Sequence, residues 1–365
     1  MSMNIEETVL DRYSEGAKQQ QASLCCPVSY DAGLLAILPD EIIEKDYGCG
    51  DPSRYVQEGD VVLDLGSGGG KVCYMAASMV GETGQVIGVD MNDDMLALAR
   101  KYQPEMAEKL GGDRVRFIKG NIQDLGLSVD ALDDYLQSHP ISSHGNYAEL
   151  KAWEARQRIE NPLVQDQSVD LVISNCVLNL VADHEKQHMI REIFRVLKPG
   201  GRVAISDIIS DQTIPDDMKN DPELWSGCIS GAFREDEFLD EFVAAGFAAV
   251  CYDKWDAEPW QVIAGIEFRS VTLTAMKPPA GSEASQDKQG IIYRGPFATV
   301  VDEQGVTYNR GQRKPVSAAT HQLLMDASFK GAFIDTSQQG SSGTEGGCCG
   351  TDSSATTTTS SGSCC

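Results

Sequence analysis

VVLDLGSGGG, Val61 to Gly70, runs an apolar, β-branched segment directly into a cluster of glycines. The pattern predicts a buried strand over Val61–Leu65, interrupted by one acid, Asp64, and then a tight turn that opens a helix. Glycines let the backbone turn sharply and approach a ligand closely, and the first N–H groups of a helix have no partner inside it. Strand, glycine turn and helix in that order therefore suit a dinucleotide or nucleoside. About twenty residues further on, QVIGVD ends a second apolar strand at Asp90, well placed to accept hydrogen bonds from a ribose diol.

The glycine motif alone also fits dinucleotide enzymes, and some glycine turns serve only tight packing. Three details favour S-adenosylmethionine over NAD. The strand carries DLG before the glycines, no phosphate has to be cradled, and the apolar strand Val169–Asn175 ends in a polar residue. The pattern resembles the class I methyltransferases. Around it, strands at Val61–Leu65, Gln85–Asp90, Val115–Gly120, Val169–Asn175 and Arg202–Ile208 alternate with helices at Lys71–Val80, Asn92–Tyr102 and His184–Val196. That alternation predicts an α/β, doubly wound, Rossmann-like sheet with helices on both faces. Ligands on such sheets sit at the carboxyl ends of the strands. Candidate cofactor residues are therefore Asp64, Gly66, Ser67, Gly68, Asp90, Met91, Asn121, Ile122 and Asn175, with Cys176 on the same edge.

With 365 residues the chain has room for more than this core. Residues 1–58 read as an N-terminal helical arm, 59–210 as the ligand-binding core and 211–277 as a further segment with closing strands. A polar linker (278–288), a small β module (289–335) and a low-complexity tail (336–365), expected to be disordered, follow. Residues 123–167 are too long for an ordinary strand-to-helix connection and read as a solvated helical insertion. A net charge of −25 argues against nucleic acid and against anionic membrane surfaces as partners. No apolar run approaches the roughly 20 residues that span a bilayer. The acidic N-terminus does not read as a signal peptide, so a soluble, cytoplasmic protein is expected, with a monomer as the default. The histidines at 139, 144, 184, 188 and 321 are expected at the surface.

The cysteines are the compositional oddity. There are 11, an odd number, with adjacent pairs but no C-x2-C spacing, which argues against a disulfide scaffold and against a zinc site. Cys176 immediately follows the fourth predicted core strand, while Cys49 and Cys228 lie in glycine-flanked loops able to reach the same edge. Three thiolates around one point suit a soft, pyramidal ion, and such ligands are expected to be partly exposed. Each cysteine by itself reads more often as a small buried hydrophobe, a reading that the glycine-flanked placement of Cys49 and Cys228 weakens.

DYGCG (46–50), SNCVLNL (174–180) and WSGCISGA (225–232), in this order around the glycine loop and with a Cys pair at 25–26, resemble the arsenite S-adenosylmethionine methyltransferases over residues 5–277. The resemblance implies Cys49, Cys176 and Cys228 as ligands of trivalent arsenic, Cys25 or Cys26 as a relay thiol, and Tyr47 beside the cofactor. It further implies arsenite or methylarsenite as substrate and a thioredoxin-type or glutathione reductant that resets a transient disulfide. The insertion, the β module and the cysteine-ending tail depart from the family pattern and leave substrate range and product open. Two other readings share these residues: a methyltransferase of another small molecule whose cysteines only pack, and a metalloid-binding protein without turnover. The terminal cysteine pairs read equally as a metalloid-capturing dithiol and as an inert tail.

Overall fold

The computed structural model describes residues 5–19, 21, 28, 30–280 and 289–336. Cys25, Cys26, most of the 278–288 segment and the tail from 337, with its two cysteine pairs, lie outside the described residues.

The core strands are β1 (Val61–Leu65), β2 (Gln85–Asp90), β3 (Val115–Lys119), β4 (Val169–Asn175) and β5 (Leu197–Ser210), followed by β6 (Phe233–Arg234), β7 (Ala248–Trp255), β8 (Gln261–Ile263) and β9 (Ile266–Met276). They form one sheet in the order β3-β2-β1-β4-β5-β9-β7, with β6 on β5 and β8 on β9. The first five run parallel, whereas β9 is antiparallel to both β5 and β7. Alternate residues enter opposite cores, as the period of a strand requires. Leu63, Leu65 and Val172 pack with Met189, Ile193 and Phe242 on one face. Val62, Leu171 and Ile173 pack with Tyr74, Ala76 and Leu96 on the other. Burial on both faces explains why these strands read as continuous apolar runs. The chain winds outward in both directions from β1, so the crevice between the ends of β1 and β4 is a topological switch point.

Several predicted elements have different bounds. The second core helix continues past Tyr102 to Leu110, through the exposed Pro104, because Met106 is fully buried beyond it and Gly111 closes the helix in a left-handed conformation. Within the N-terminal arm, residues 31–44 hold two short helices, Ala32–Leu35 and Asp40–Glu44, parted where Pro39 disfavours a helical residue before it. Strand β5 is longer than its apolar stretch because it also pairs along β9. Strand β7, with charged Asp253 and Lys254 in a half-buried edge, carries no clear alternation and is found only in the structure.

The insertion folds as helices Val129–Ser138 and His144–Glu160, capped by the hydroxyls of Ser128 and Ser143, with Tyr135 stacked on Trp153. Residues 289–336 form a three-stranded antiparallel sheet, a hairpin across Asp302–Gly305 and a helix, Ala318–Leu324, that the alternating pattern did not announce. This segment has its own core of Ile291, Tyr293, Tyr308, Val316 and Leu324. Among the described residues no helix is long and apolar enough to cross a membrane.

Leu63 is fully buried in the middle of the sheet. Leu63→Ala is expected to cost about 2–5 kcal/mol by urea denaturation, because the sheet on either side cannot close around the missing methyl groups.

Candidate active site

One cavity opens at the carboxyl ends of β1 and β4. Of the sequence-predicted residues, Tyr47, Asp64, Gly66, Ser67, Gly68, Asp90, Met91, Ile122, Asn175 and Cys176 all line it. Asn121 does not; its carbonyl accepts the Asp124 N–H in the turn that starts the insertion. The glycine turn is tied to the second strand, since Gly66 N and Ser67 N both donate to the Val89 carbonyl. Gly68 N and Asn92 N donate to the two oxygens of Asp90, each at 2.8 Å, which fixes that carboxylate at the cavity wall. Burial pushes the Asp90 carboxyl upward against these two N–H groups.

The cavity suits a cationic nucleoside. Its walls carry Glu6, Asp46, Asp64, Asp90 and Glu185 against a single lysine, Lys45. Ser67 Oγ is buried without a partner among the described residues, and a Cβ added at Gly68, which has φ +51°, would meet nothing within 4 Å. An open wall, an unpaired hydroxyl and a fixed carboxylate fit the ribose of S-adenosylmethionine, and the acidic lining fits its sulfonium and ammonium charges.

A helix from the arm covers this cavity. Helix Ile5–Lys18 is held to the core by Asn92 Nδ2, which donates to Leu10 O at 3.1 Å and Ser14 Oγ at 3.0 Å. Its Arg12 donates to Glu223 O at 2.8 Å and Ser226 Oγ at 2.7 Å, next to the Cys228 turn. Tyr47 donates to the Gly16 carbonyl at 3.0 Å, and Tyr13 packs edge-on against it.

The three cysteines converge beside the cavity, in an apolar cluster with Ile208, Ile214 and Phe268. Cys49 and Cys176 are joined as a disulfide across 127 residues of sequence. Cys228 Sγ donates to the Cys176 carbonyl at 3.2 Å, and the Tyr13 hydroxyl lies 4.0 Å from the same sulfur. The expectation of partly exposed thiols is corrected: Cys49, Cys176 and Cys228 are 0%, 6% and 5% exposed. The arm helix and the helix Pro222–Ser226 close over them. Cys176 and Cys228 have φ of 58° and 62°, a left-handed backbone that residues with a side chain seldom adopt and that concentrates at functional sites. The two loops touch at Gly231, where a Cβ would overlap the Asn179 carbonyl, and Asn179 Nδ2 donates to the carbonyls of Ile208 and Cys228.

Asn175 holds the third loop. Its Oδ1 accepts the N–H groups of Cys49 at 2.9 Å and Gly50 at 3.0 Å, and its Nδ2 donates to Gly50 O at 2.9 Å. Cβ atoms at Gly48 and Gly50 would collide with Asn175 and Ser206 respectively, so the YGCG spelling is set by close approach.

Sequence reasoning missed two neighbours. One oxygen of Asp207 and the sulfurs of Cys49 and Cys176 lie within 4.8 Å of one another, a set that does not include Cys228. Burial pushes Asp207 up to about 7, although the N–H groups of Ile208 and Leu178 donate to it. Its signal was an acid in the apolar strand RVAISDI at the edge that carries Cys176. Tyr13 left no signal, because one aromatic in a polar helix has no address until that helix docks. Of the histidines, 139, 144, 184 and 188 are exposed, as expected, while His321 is half-buried.

Comparison with known proteins places these features in context. A family described as a methyltransferase domain matches residues 56–139 and 141–246, and a domain of unknown function matches residues 280–359. An arsenite methyltransferase of Aquipseudomonas alcaligenes is 30% identical over 344 residues, spanning 89% of each chain. An arsenite methyltransferase of Mus musculus is 28% identical over 320 residues, covering 84% of this chain and 75% of its own. The crystal structure of an arsenic(III) S-adenosylmethionine methyltransferase from Chlamydomonas reinhardtii superposes with a TM-score of 0.57 at 27% identity, covering 87% of this chain and 98% of that one.

Asp64 behaves like Asp207: burial pushes it up to about 7, while the Cys73 thiol donates to it at 3.1 Å. Both carboxyls are neutral in the fold over a range where the unfolded chain has already ionised them. Their contribution to stability is complete below the ordinary value of 3.8 and is lost as pH rises through about 7. The urea midpoint of Asp64→Asn/Asp207→Asn is therefore expected to fall less than that of the wild type between pH 5 and pH 8; parallel curves would refute the assignment.

Proposed function

This chain belongs to the arsenite methyltransferases, S-adenosylmethionine-dependent enzymes that methylate arsenic, and on that premise we propose that Cys49, Cys176 and Cys228 are the thiolates that hold trivalent arsenic. The observation that carries the assignment is the convergence of these three residues from distant loops into one closed apolar cluster beside the cavity that Cys176 lines. The left-handed backbone at two of the three supports it, because packing alone gives no reason to sustain that strain. Arsenite exchanges its three hydroxyls for three thiols and releases three waters, leaving a pyramidal centre whose lone pair is free. Soft sulfur donors favour such a centre over hard cations.

S-adenosylmethionine, when bound, supplies an electrophilic methyl group on a sulfonium sulfur. The chain's own residues orient and enclose the reactants. Asp90 and Ser67 hold the ribose, Glu6, Asp46 and Glu185 offset positive charge, and Tyr47 with the arm helix shuts water out. The arsenic lone pair is the nucleophile, so no residue has to remove a proton. The four exposed histidines and His321, in the separate C-terminal core, need no role in the chemistry.

The product carries arsenic two electrons more oxidised, and those electrons have to return before another round. Two thiols closing to a disulfide release two electrons, and the Cys49–Cys176 bond is such an oxidised state of two proposed ligands. A thioredoxin-type dithiol or glutathione resets it by exchange in this reading, with Cys25 or Cys26 as the relay thiol.

Cys228→Ser is expected to lower formation of methylarsenicals from labelled S-adenosylmethionine and arsenite on the order of 100-fold, equivalent to about 3 kcal/mol, with cofactor binding retained. Undiminished turnover in that variant would remove Cys228 from the ligand set. With Cys348, Cys349, Cys364 and Cys365 changed to serine, oxidised protein, in which Cys49 and Cys176 are bonded, is expected to take up no arsenite until a dithiol is added. Uptake by the oxidised form, measured by equilibrium dialysis, would exclude the assignment of those two sulfurs.

A further inference from the structure

A part-buried ion pair ties the glycine-turn helix to the loop that carries Cys49. Lys71 opens the helix Lys71–Met79 directly after the glycine turn. Its side chain is 6% exposed, and Nζ donates to Asp46 Oδ2 at 2.7 Å. The same ammonium sits 3.5 Å from the centroid of the Tyr30 ring. The Tyr30 hydroxyl donates to Asp46 at 3.4 Å and accepts Asn175 Nδ2 at 3.1 Å. Asn175, in turn, holds the N–H groups of Cys49 and Gly50 and immediately precedes Cys176.

Asp46 stands in the cavity wall, three residues before Cys49. The loop between them cannot slip independently, because Gly48 already rests on the Asn175 amide with no space for a Cβ. Separating the two charges is unfavourable on the Lys71 side, where the ammonium is 6% exposed, while the Asp46 carboxylate stays open to the cavity. A cationic ligand entering beside Asp46 therefore acts on the same carboxylate that anchors the Cys49 loop.

We propose that Lys71 is a positioning residue which, through Asp46 and the Tyr30–Asn175 chain, couples occupancy of the cofactor cavity to the placement of Cys49, so that each ligand tightens the other. The coupling rests on the three-cysteine arsenic pocket proposed above. It is reciprocal by linkage: the factor by which one ligand improves the other is the same in both directions.

Protein reduced with a phosphine is titrated with sodium arsenite, following the near-ultraviolet absorption of thiolate–arsenic bonds, with and without saturating S-adenosylhomocysteine. In the wild type the arsenite midpoint is expected to tighten roughly fivefold or more, and S-adenosylhomocysteine to bind tighter by the same factor when arsenite is present. Lys71→Met leaves the Asp46 carboxylate without its cation, so Lys71→Met/Asp46→Asn, which removes both charges, is measured beside it. In the double variant S-adenosylhomocysteine is expected to bind more weakly by itself, because Asp46 lines its cavity, and the coupling factor falls to about one. A factor unchanged there, or a wild-type midpoint indifferent to S-adenosylhomocysteine, overturns the coupling while leaving the pocket standing. Loss of either ligand altogether in the double variant also overturns it, since the pair would then be building one pocket rather than joining two. A reduced wild type with no thiolate–arsenic absorption overturns the pocket and the coupling together.

Discussion

The side-chain amide of Asn175 accepts two backbone N–H groups from the Cys49 loop and donates to that loop's carbonyl and to Tyr30. The arrangement at the sheet edge depends on this clamp. A buried amide left unpaired costs more than the net worth of its bonds, so the loop has one low-energy seat. Because Asn175 is the last residue of β4, the seat is fixed to the sheet, and the next residue, Cys176, is delivered opposite Cys49. Gly48 and Gly50 follow from the same constraint, since any Cβ there would push the loop off its partner.

Charge is divided sharply across a short distance. The cavity wall is acidic, in a chain with a net charge of −25, while the adjoining sulfur cluster is apolar and closed. The first environment favours a cation, and the second favours an uncharged group over a charged one. Asp64 and Asp207 lie on strands of one sheet beneath these two regions, and burial holds both carboxyls toward the neutral form. Burial is the largest influence on both, and the Lys186 charge lowers Asp207 by less than the N–H groups that donate to it.

The helix Ile5–Lys18 lies over both the cavity and the Cys228 turn. It is fastened by side chains to two separate parts of the core, through Asn92 on the cofactor side and through Arg12 on the Cys228 side. Few apolar residues of this helix are buried, namely Val9 and Ala17 with Tyr13 packed beside them. A cover held mainly by exposed or half-exposed polar contacts opens at low cost, whereas the strands beneath it do not.

The sequence by itself determined the parallel core, the glycine turn, most of the cavity wall and the three cysteine loops. Each depends on local chemistry: continuous apolar runs for strands buried on both faces, glycines for a tight turn, and acids at strand ends. The resemblance of DYGCG, SNCVLNL and WSGCISGA to one family supplied the substrate, which no periodicity contains. Only the tertiary structure decided that Cys49 pairs with Cys176, that Asp207 stands beside both sulfurs, that Lys71 reaches Asp46, and that Tyr13 comes to Cys228. Helix ends at Leu110 and Glu44 and the edge strand β7 were likewise settled by buried anchors and by pairing with β9. Residues 46, 71, 176, 207 and 228 meet because strand order, register and the docking of the arm are collective outcomes of burial across the whole sheet. A local pattern carries the period of an element, and the neighbour it finds across a hundred residues is fixed when the core closes.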